Sequence, residues 1–254
     1  MAAEETSQPH SEPESLKRLF WFSVFMLSVF ALTVGLGVWQ LQRLEWKRGL
    51  IAAIEARTEA PPTTLAAVME QAETGQDIEY TRVKVEGRYD HAKEQYLYGL
   101  DEGDPGWHVI TPLRTDAGPV VLIDRGFVPA EKKGPETRKE GQLEGEIAVT
   151  GLVRQPQTQS LFTPDNDPAR NQWFWRDLKG MKEAMYPDGG AAVAPFYIEV
   201  ETGDVPGGWP KGGQTNLTLP NNHLQYAWTW FCMAAALAGA YIAYVWTVYR
   251  KRKG

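Results

Sequence analysis

The sequence predicts a membrane protein in which two transmembrane helices flank an α+β extracytoplasmic domain built on a mainly antiparallel β-sheet or small barrel. Three observations carry this. Residues 19–41 and 224–249 are apolar runs without a charged side chain. About 180 residues of mixed polarity separate them. Inside that interval the apolar residues recur with period two over several short segments, the pattern of half-buried strands.

Residues 1–18 read as a disordered cytoplasmic leader, being polar, Pro-containing and nearly devoid of apolar side chains. Glu4, Glu5, Glu12 and Glu14 speak against a mitochondrial transit peptide, which is Arg-rich and poor in acids, and so predict a bacterial plasma (inner) membrane. The first span, 19–41, has 23 residues, which at ~1.5 Å rise per residue exceeds the ~30 Å hydrocarbon thickness. A cleaved signal peptide does not fit, because the run is too long for an h-region and Leu41-Gln42-Arg43 offers no small-residue cleavage site. The second span, 224–249, ends against Arg250, Lys251, Arg252 and Lys253 in a basic tail, 250–254, that favours the cytoplasmic side. Two spans return the chain to its starting side, so both termini are expected in the cytoplasm and the domain at 42–223 in the periplasm. Lys17 and Arg18 agree. Arg43, Lys47 and Arg48 on the opposite flank disagree, but long domains translocate largely regardless of charge.

After the first span, apolar residues at helical spacing (Leu44, Leu50, Ile51, Ile54) continue the helix outward until Pro61 and Pro62 stop it. A second, weaker helix over 63–75 closes at Gly75. From there the period changes to two. Strands are predicted over 81–90, 94–100, 107–115, 119–129, 146–155, 171–178 and 195–201, with a short helix from Leu178 to Met185. Gly and Asp clusters such as Asp101-Glu102-Gly103-Asp104 and Asp116-Ala117-Gly118 separate antiparallel neighbours. A segment of this length holds one core and does not require two.

Composition narrows the function. Cys232 is the sole cysteine and lies in the second span, so an intramolecular disulfide and C-x-x-C copper or redox chemistry are excluded. A net charge of −6, with no basic stripe outside the membrane flanks, gives no electrostatic reason to expect nucleic acid. No nucleophile elbow, H-E-x-x-H helix, Walker A loop or dinucleotide fingerprint is present, so no catalytic residue is assigned. Asp165-Asn166-Asp167 between two prolines reads as a turn rather than a divalent-metal loop. Asp124-Arg125-Gly126 reads as a charged strand end, since neither a histidine nor a second carboxylate is adjacent in sequence. Among the histidines, His10 and His91 are expected to be solvated and His108 to be a satisfied strand residue.

His223 differs. It stands at the mouth of the second span, after Pro220 and the capping candidates Asn221 and Asn222. Helical spacing places Tyr226, Ala227, Trp230, Ala234 and Tyr241 on roughly its face. A planar apolar cofactor such as haem suits that face, with His223 as the axial iron ligand and Trp39, Arg43, Trp46 and Lys47 of the first helix as the facing wall, cations meeting the propionates. The same residues also read as an interfacial aromatic belt with small-xxx-small helix packing at Ala234, Ala235, Ala238 and Gly239. The residues by themselves leave both readings open.

Four ordered blocks point to a family. LGVWQLQRLEWKRGLI at 36–51, WHVITPLRTDAGPVVLIDRGFVP at 107–129, NQWFWRDL at 171–178 and NNHLQYAWTWF at 221–231 resemble the signature blocks of the surfeit locus protein 1 family. The resemblance implies a non-catalytic assembly factor for cytochrome c oxidase, the respiratory chain complex IV. It further implies action when haem a is delivered to, or stabilised in, subunit I, with haem a synthase and the lipid bilayer as further partners. It makes His223 the candidate haem ligand. One departure stands out: Asp124-Arg125-Gly126-Phe127 replaces the expected Asn-Arg-Gly-Trp, exchanging an amide for an acceptor-only carboxylate. The alternative to haem handling is a membrane scaffold that holds oxidase subunits without binding haem. The topology has its own test. A reporter active only outside the cytoplasm should be active when fused after Thr158 and silent after Gly254; the reverse pattern would overturn the orientation.

Overall fold

The computed structural model describes residues 12–253, apart from 117, 216 and 218. His10 and most of the expected leader therefore lie outside the described residues. The chain divides into two compact units, residues 1–52 with 218–254, and residues 53–217.

The first unit is helical. Helix α1, Glu12–Glu59, is continuous through the first apolar run and, at ~1.5 Å per residue, spans ~72 Å, over twice a hydrocarbon core. It starts before Leu19, so the expected structureless leader does not reach residue 18. At the other end it continues past residue 41 as predicted and stops before Pro61-Pro62. The final helix, running from His223 to Lys253, is the other helix among the described residues that is long and apolar enough to cross a membrane.

The second unit is a mixed sheet closed into a small barrel. Its elements in chain order are β1 (Thr63–Thr64), α2 (Leu65–Glu73), β2 (Arg82–Tyr89), β3 (Gln95–Asp101), β4 (Asp104–Arg114), β5 (Val120–Pro129), β6 (Ile147–Arg154), α3 (Leu178–Met185) and β7 (Val193–Val200). With these in place, the membrane-length helix His223–Lys253 is α4. The sheet order is β1-β2-β6-β7-β5-β4-β3, and β2 also pairs with β4, so β2-β6-β7-β5-β4 form a closed ring of five strands. Most neighbours are antiparallel, as the turn signals require. β5 and β7 run parallel because β6 and a long covering segment intervene between them.

Alternation along the strands sorts side chains to two cores. Val83, Val85, Leu113, Val121, Ile123, Val149, Val153, Phe196 and Ile198 fill the barrel, with Val68 of α2 closing one end. Leu97, Ile110, Leu122 and Tyr197 point outward, where Trp173 and Met181, Met185 and Tyr186 of the α3 region cover them. Thr64 caps α2 through its hydroxyl, and Gly75 ends it with φ of +71°, which a glycine tolerates. Gly126 is required sterically: with φ of +110°, a Cβ there would lie 1.8 Å from the Lys211 carbonyl oxygen.

One strand prediction fails. NQWFWRDL does not pair as a strand; it makes two isolated bridges, Leu97 with Trp173 and Asp167 with Gln172. The Asn166 side chain accepts from the Phe174 and Trp175 amides, so local side-chain bonds replace a ladder and leave Trp173 fully buried as a plug. Its indole N–H donates to Gln95 Oε1 at 2.7 Å. Trp173→Ala should therefore cost about 3–5 kcal/mol in urea unfolding, combining lost burial with a cavity. Trp173→Phe should cost less, about 1–3 kcal/mol, mainly from the orphaned Gln95 oxygen.

Candidate functional site

In the helical unit, α1 and α4 meet along small or polar residues. Thr33, Leu44, Ala227 and Ala234 are buried, and the Phe231 ring lies so close to Gly37 that a Cβ there would come within 2.6 Å of it. The Tyr241 hydroxyl donates to Ser23 Oγ at 2.6 Å, and Lys47 donates to the Pro220 carbonyl. His223, the first residue of α4, is half-buried, with Nδ1 at 2.7 Å from Gln40 Oε1. A carbonyl oxygen only accepts, so this placement of the amide puts the ring proton on Nδ1 and leaves the Nε2 lone pair available. A partner on the remote ring nitrogen is what a metal-ligating histidine has.

The other expected site residues distribute unevenly. Ala227 and Ala234 lie beneath His223 on the packed face, and Trp230 is half-buried near it, whereas Tyr226 is 55% exposed. Trp39, Arg43 and Trp46 stay exposed, and it is Gly37 and Gln40 that meet α4, at Phe231 and His223. The three recur on their own stripe, roughly a third of a turn around α1, with the Arg43 guanidinium 3.8 Å above the Trp46 ring and both tryptophans about half exposed. Gln40 went unnoticed in the sequence; its signal was a polar side chain inside an apolar run, at helical spacing from Gly37 and Leu44.

In the barrel unit, the outward face of β4, β5, β7 and β6 carries a chain of alternating charge. His108 Nδ1 lies 3.1 Å from both oxygens of Asp124. Arg176 Nη2 bridges Asp124 Oδ2 at 3.1 Å and Glu199 Oε1 at 2.8 Å. Arg154 then joins Glu199 Oε2 to Glu79 Oε1, each at 2.7 Å. Burial opposes ionisation of Asp124, yet the adjacent His108 charge and hydrogen bond, with Arg176, outweigh it and hold the carboxyl well below its ordinary range. Burial likewise pushes His108 down, and the Asp124 charge overcomes this and raises it above 6.5. A carboxylate orienting an imidazole is half of a catalytic dyad. Here Asp124 is shared with Arg176, so its carboxylate ties β4 and β5 to the segment before α3.

On the inward face, Glu94 accepts from both Arg125 and Arg138, and His91 lies 3.3 Å from it. His91 is thus not a solvated turn residue; its Nε2 donates to the Leu143 carbonyl at 2.8 Å. Burial would raise the Glu94 carboxyl, but hydrogen bonds from His91 and Arg138 and the two guanidinium charges bring it down to about 2. Neither cluster was visible in the sequence as a group. Asp124 is sixteen residues from His108 and 52 from Arg176.

A model described as the SURF1 family matches residues 27–235. Surfeit locus protein 1 of Homo sapiens is 40% identical over 263 residues, covering 96% of this chain and 81% of that protein. Its Takifugu rubripes counterpart is 41% identical over 240 residues, covering 87% and 94%. A SURF1-like protein of Drosophila melanogaster is 31% identical over 250 residues, covering 91% and 80%. The chain belongs to the SURF1 family. The matched interval opens inside the first apolar run, encloses the whole barrel and closes in α4 beyond His223, so it takes in both helical stretches that hold the His223–Gln40 contact.

The charge clusters set the pH dependence of stability. Glu94 and Asp124 ionise more readily when folded, so their contribution is full above ordinary carboxylate values and is lost on acidification, for Glu94 between 4.5 and about 2. That interval corresponds to about 3 kcal/mol from Glu94. His108 holds its proton more tightly when folded, so its contribution is full below 6.5 and fades as pH rises through its elevated value. Urea midpoints should fall on both sides of a maximum near pH 5–6.5, and His108→Gln should abolish the alkaline decline while retaining the acid one.

Proposed function

We propose that this protein assists assembly of cytochrome c oxidase by holding haem a for subunit I, and that it does so without catalysis of its own. Membership of the SURF1 family supports the assembly role and favours a non-catalytic protein. The haem reading rests on one observation, the hydrogen bond from His223 Nδ1 to Gln40 Oε1. Haem there would be held by the His223 imidazole and would supply an iron centre with affinity for its nitrogen.

The residues present suit that group in chemistry. His223 presents Nε2 with its lone pair free, while Gln40 fixes the ring's tautomer and orientation from the neighbouring helix. Ala227 and Ala234 are taken up by the contact with α1, and Trp230 and Tyr226 provide aromatic surface on α4 near His223. Trp39, Arg43 and Trp46 take a different part in this reading from the one expected: a stacked, exposed cation–aromatic group on the flank of α1 that would meet propionates or a partner at the periphery. Release to subunit I, with haem a synthase as supplier, would follow lateral contact between membrane helices. We place the protein in a bacterial plasma membrane, on the acid-rich segment before the first span, with the barrel in the periplasm on the basic cluster after α4.

The test is the visible absorption spectrum of protein purified in detergent from cells that make haem a. Wild type should carry a Soret band, His223→Ala should lose it, and Gln40→Ala should retain it with haem affinity lowered about 10–100-fold. Equal haem in wild type and His223→Ala would remove His223 as the ligand. Haem-free wild type would favour a scaffold that holds oxidase subunits together.

A further inference from the structure

One mouth of the barrel is a cavity of about 280 Å³ whose walls include Tyr89, Arg125, Ile147, Val200, Val205 and Pro210. Tyr89 and Arg125 reach it because strand alternation points them inward, Tyr89 at the end of β2 and Arg125 from the middle of β5. Arg125 is only 5% exposed, and its guanidinium stacks 4.7 Å over the Tyr89 ring. It donates through Nη1 to Glu94 at 3.1 Å and through Nη2 to the Gly141 carbonyl.

The charges at this mouth do not balance. Among the described residues Glu94 is the one carboxylate in contact with Arg125, and it is shared with Arg138, whose side chain is 1% exposed and whose other bonds go to the Lys132 and Lys133 carbonyls. Two buried guanidiniums thus face a single carboxylate. Of the acids at the rim, Glu201 is committed to Arg82 by two bonds of 2.6 and 2.8 Å, and Asp204 is exposed to solvent. Burial accordingly lowers the Arg125 guanidinium from its ordinary value, with Glu94 offsetting it only in part. Buried charge without a counter-charge is costly, and an anion that enters the cavity relieves that cost.

We propose that the barrel mouth binds a small apolar monocarboxylate, its carboxylate on the Arg125 guanidinium and the Tyr89 hydroxyl, its apolar body between Ile147, Val200 and Val205. The single excess charge selects a monoanion over a phosphate dianion. The volume lies just below the ~300 Å³ where drug-sized pockets begin, which sets the occupant near benzoate or octanoate in size. Barrel mouths with apolar walls and a few convergent polar groups are common places for such ligands. The site is independent of His223 and of haem.

The experiment uses the full chain in nanodiscs, titrated calorimetrically with benzoate, with benzamide as the neutral isostere and with inorganic phosphate. Benzoate should bind saturably at one per chain and raise the melting temperature; benzamide and phosphate should do neither. Arg125→Met should weaken benzoate at least tenfold. Because that variant also strips Glu94 of a partner, Val205→Trp serves as the second probe, filling the mouth from a half-exposed loop while leaving Arg125 in place, and it too should lose benzoate at least tenfold. Absence of saturable benzoate binding, equal binding of benzamide, tighter binding of phosphate, or undiminished benzoate binding in Val205→Trp would each overturn the proposal.

Discussion

The barrel depends on a single strand being paired on both edges. β2 pairs with β6 along Arg82–Gly87 and then, through Arg88 and Tyr89, with the end of β4 at Arg114 and Leu113. That second pairing turns a sheet into a closed ring. It is possible because residue 87 is glycine: a Cβ there would sit 2.4 Å from the Arg114 carbonyl oxygen. Closure satisfies strand edges that would otherwise be open to other chains, and it creates an interior filled by Val, Ile, Leu and Phe.

Once the ring is closed, β5 becomes its central wall, buried on both faces from Val121 to Val128. Strict alternation then assigns consecutive charges to opposite environments. Asp124 points outward into the ladder with His108 and Arg176, and Arg125 points inward to Glu94 and Tyr89. Gly126 follows at positive φ so that the Lys211 backbone can bond Phe127 in both directions at 2.9 Å. Three successive residues thus serve an outer ion network, an inner one and a chain crossing. A slip of one residue in register would exchange the two charges and break both networks. Buried ion pairs are weak evidence for net stability, but removing one partner is severe, so these clusters specify register more than they add stability.

The helical pair follows different rules. Without a hydrophobic gain from helix–helix contact in lipid, close approach depends on small residues and on hydrogen bonds that have few competitors. Gly37 against Phe231, Ala227 and Ala234 on the buried face, and the Ser23–Tyr241 and Gln40–His223 bonds are of this kind. The Gln40–His223 bond therefore has two consequences in one contact: it ties the helices near the start of α4, and it presents a nitrogen lone pair with its tautomer set. Its neighbours Trp39 and Trp46 stay on the outer surface of the pair, where amphipathic rings suit an interface.

Much of this was legible in the chain alone. Apolar runs long enough to span a bilayer, the helix continuing past residue 41 to the Pro61-Pro62 stop, the period-two strands and the α3 helix all follow from local patterns, because spans, caps and alternation are encoded within a few residues of one another. His223 was conspicuous for the same reason, as a titratable group at the end of an apolar run. Tertiary structure alone decided that NQWFWRDL plugs a core instead of joining the sheet, that Gln40 rather than Trp39 or Arg43 faces His223, and that His91 is half-buried beside Glu94. It alone united His108, Asp124, Arg176 and Glu199, and left Arg125 and Arg138 sharing one carboxylate at the barrel mouth. Those arrangements depend on pairings between distant strands and on the azimuth of one helix against another, which no local window of sequence contains.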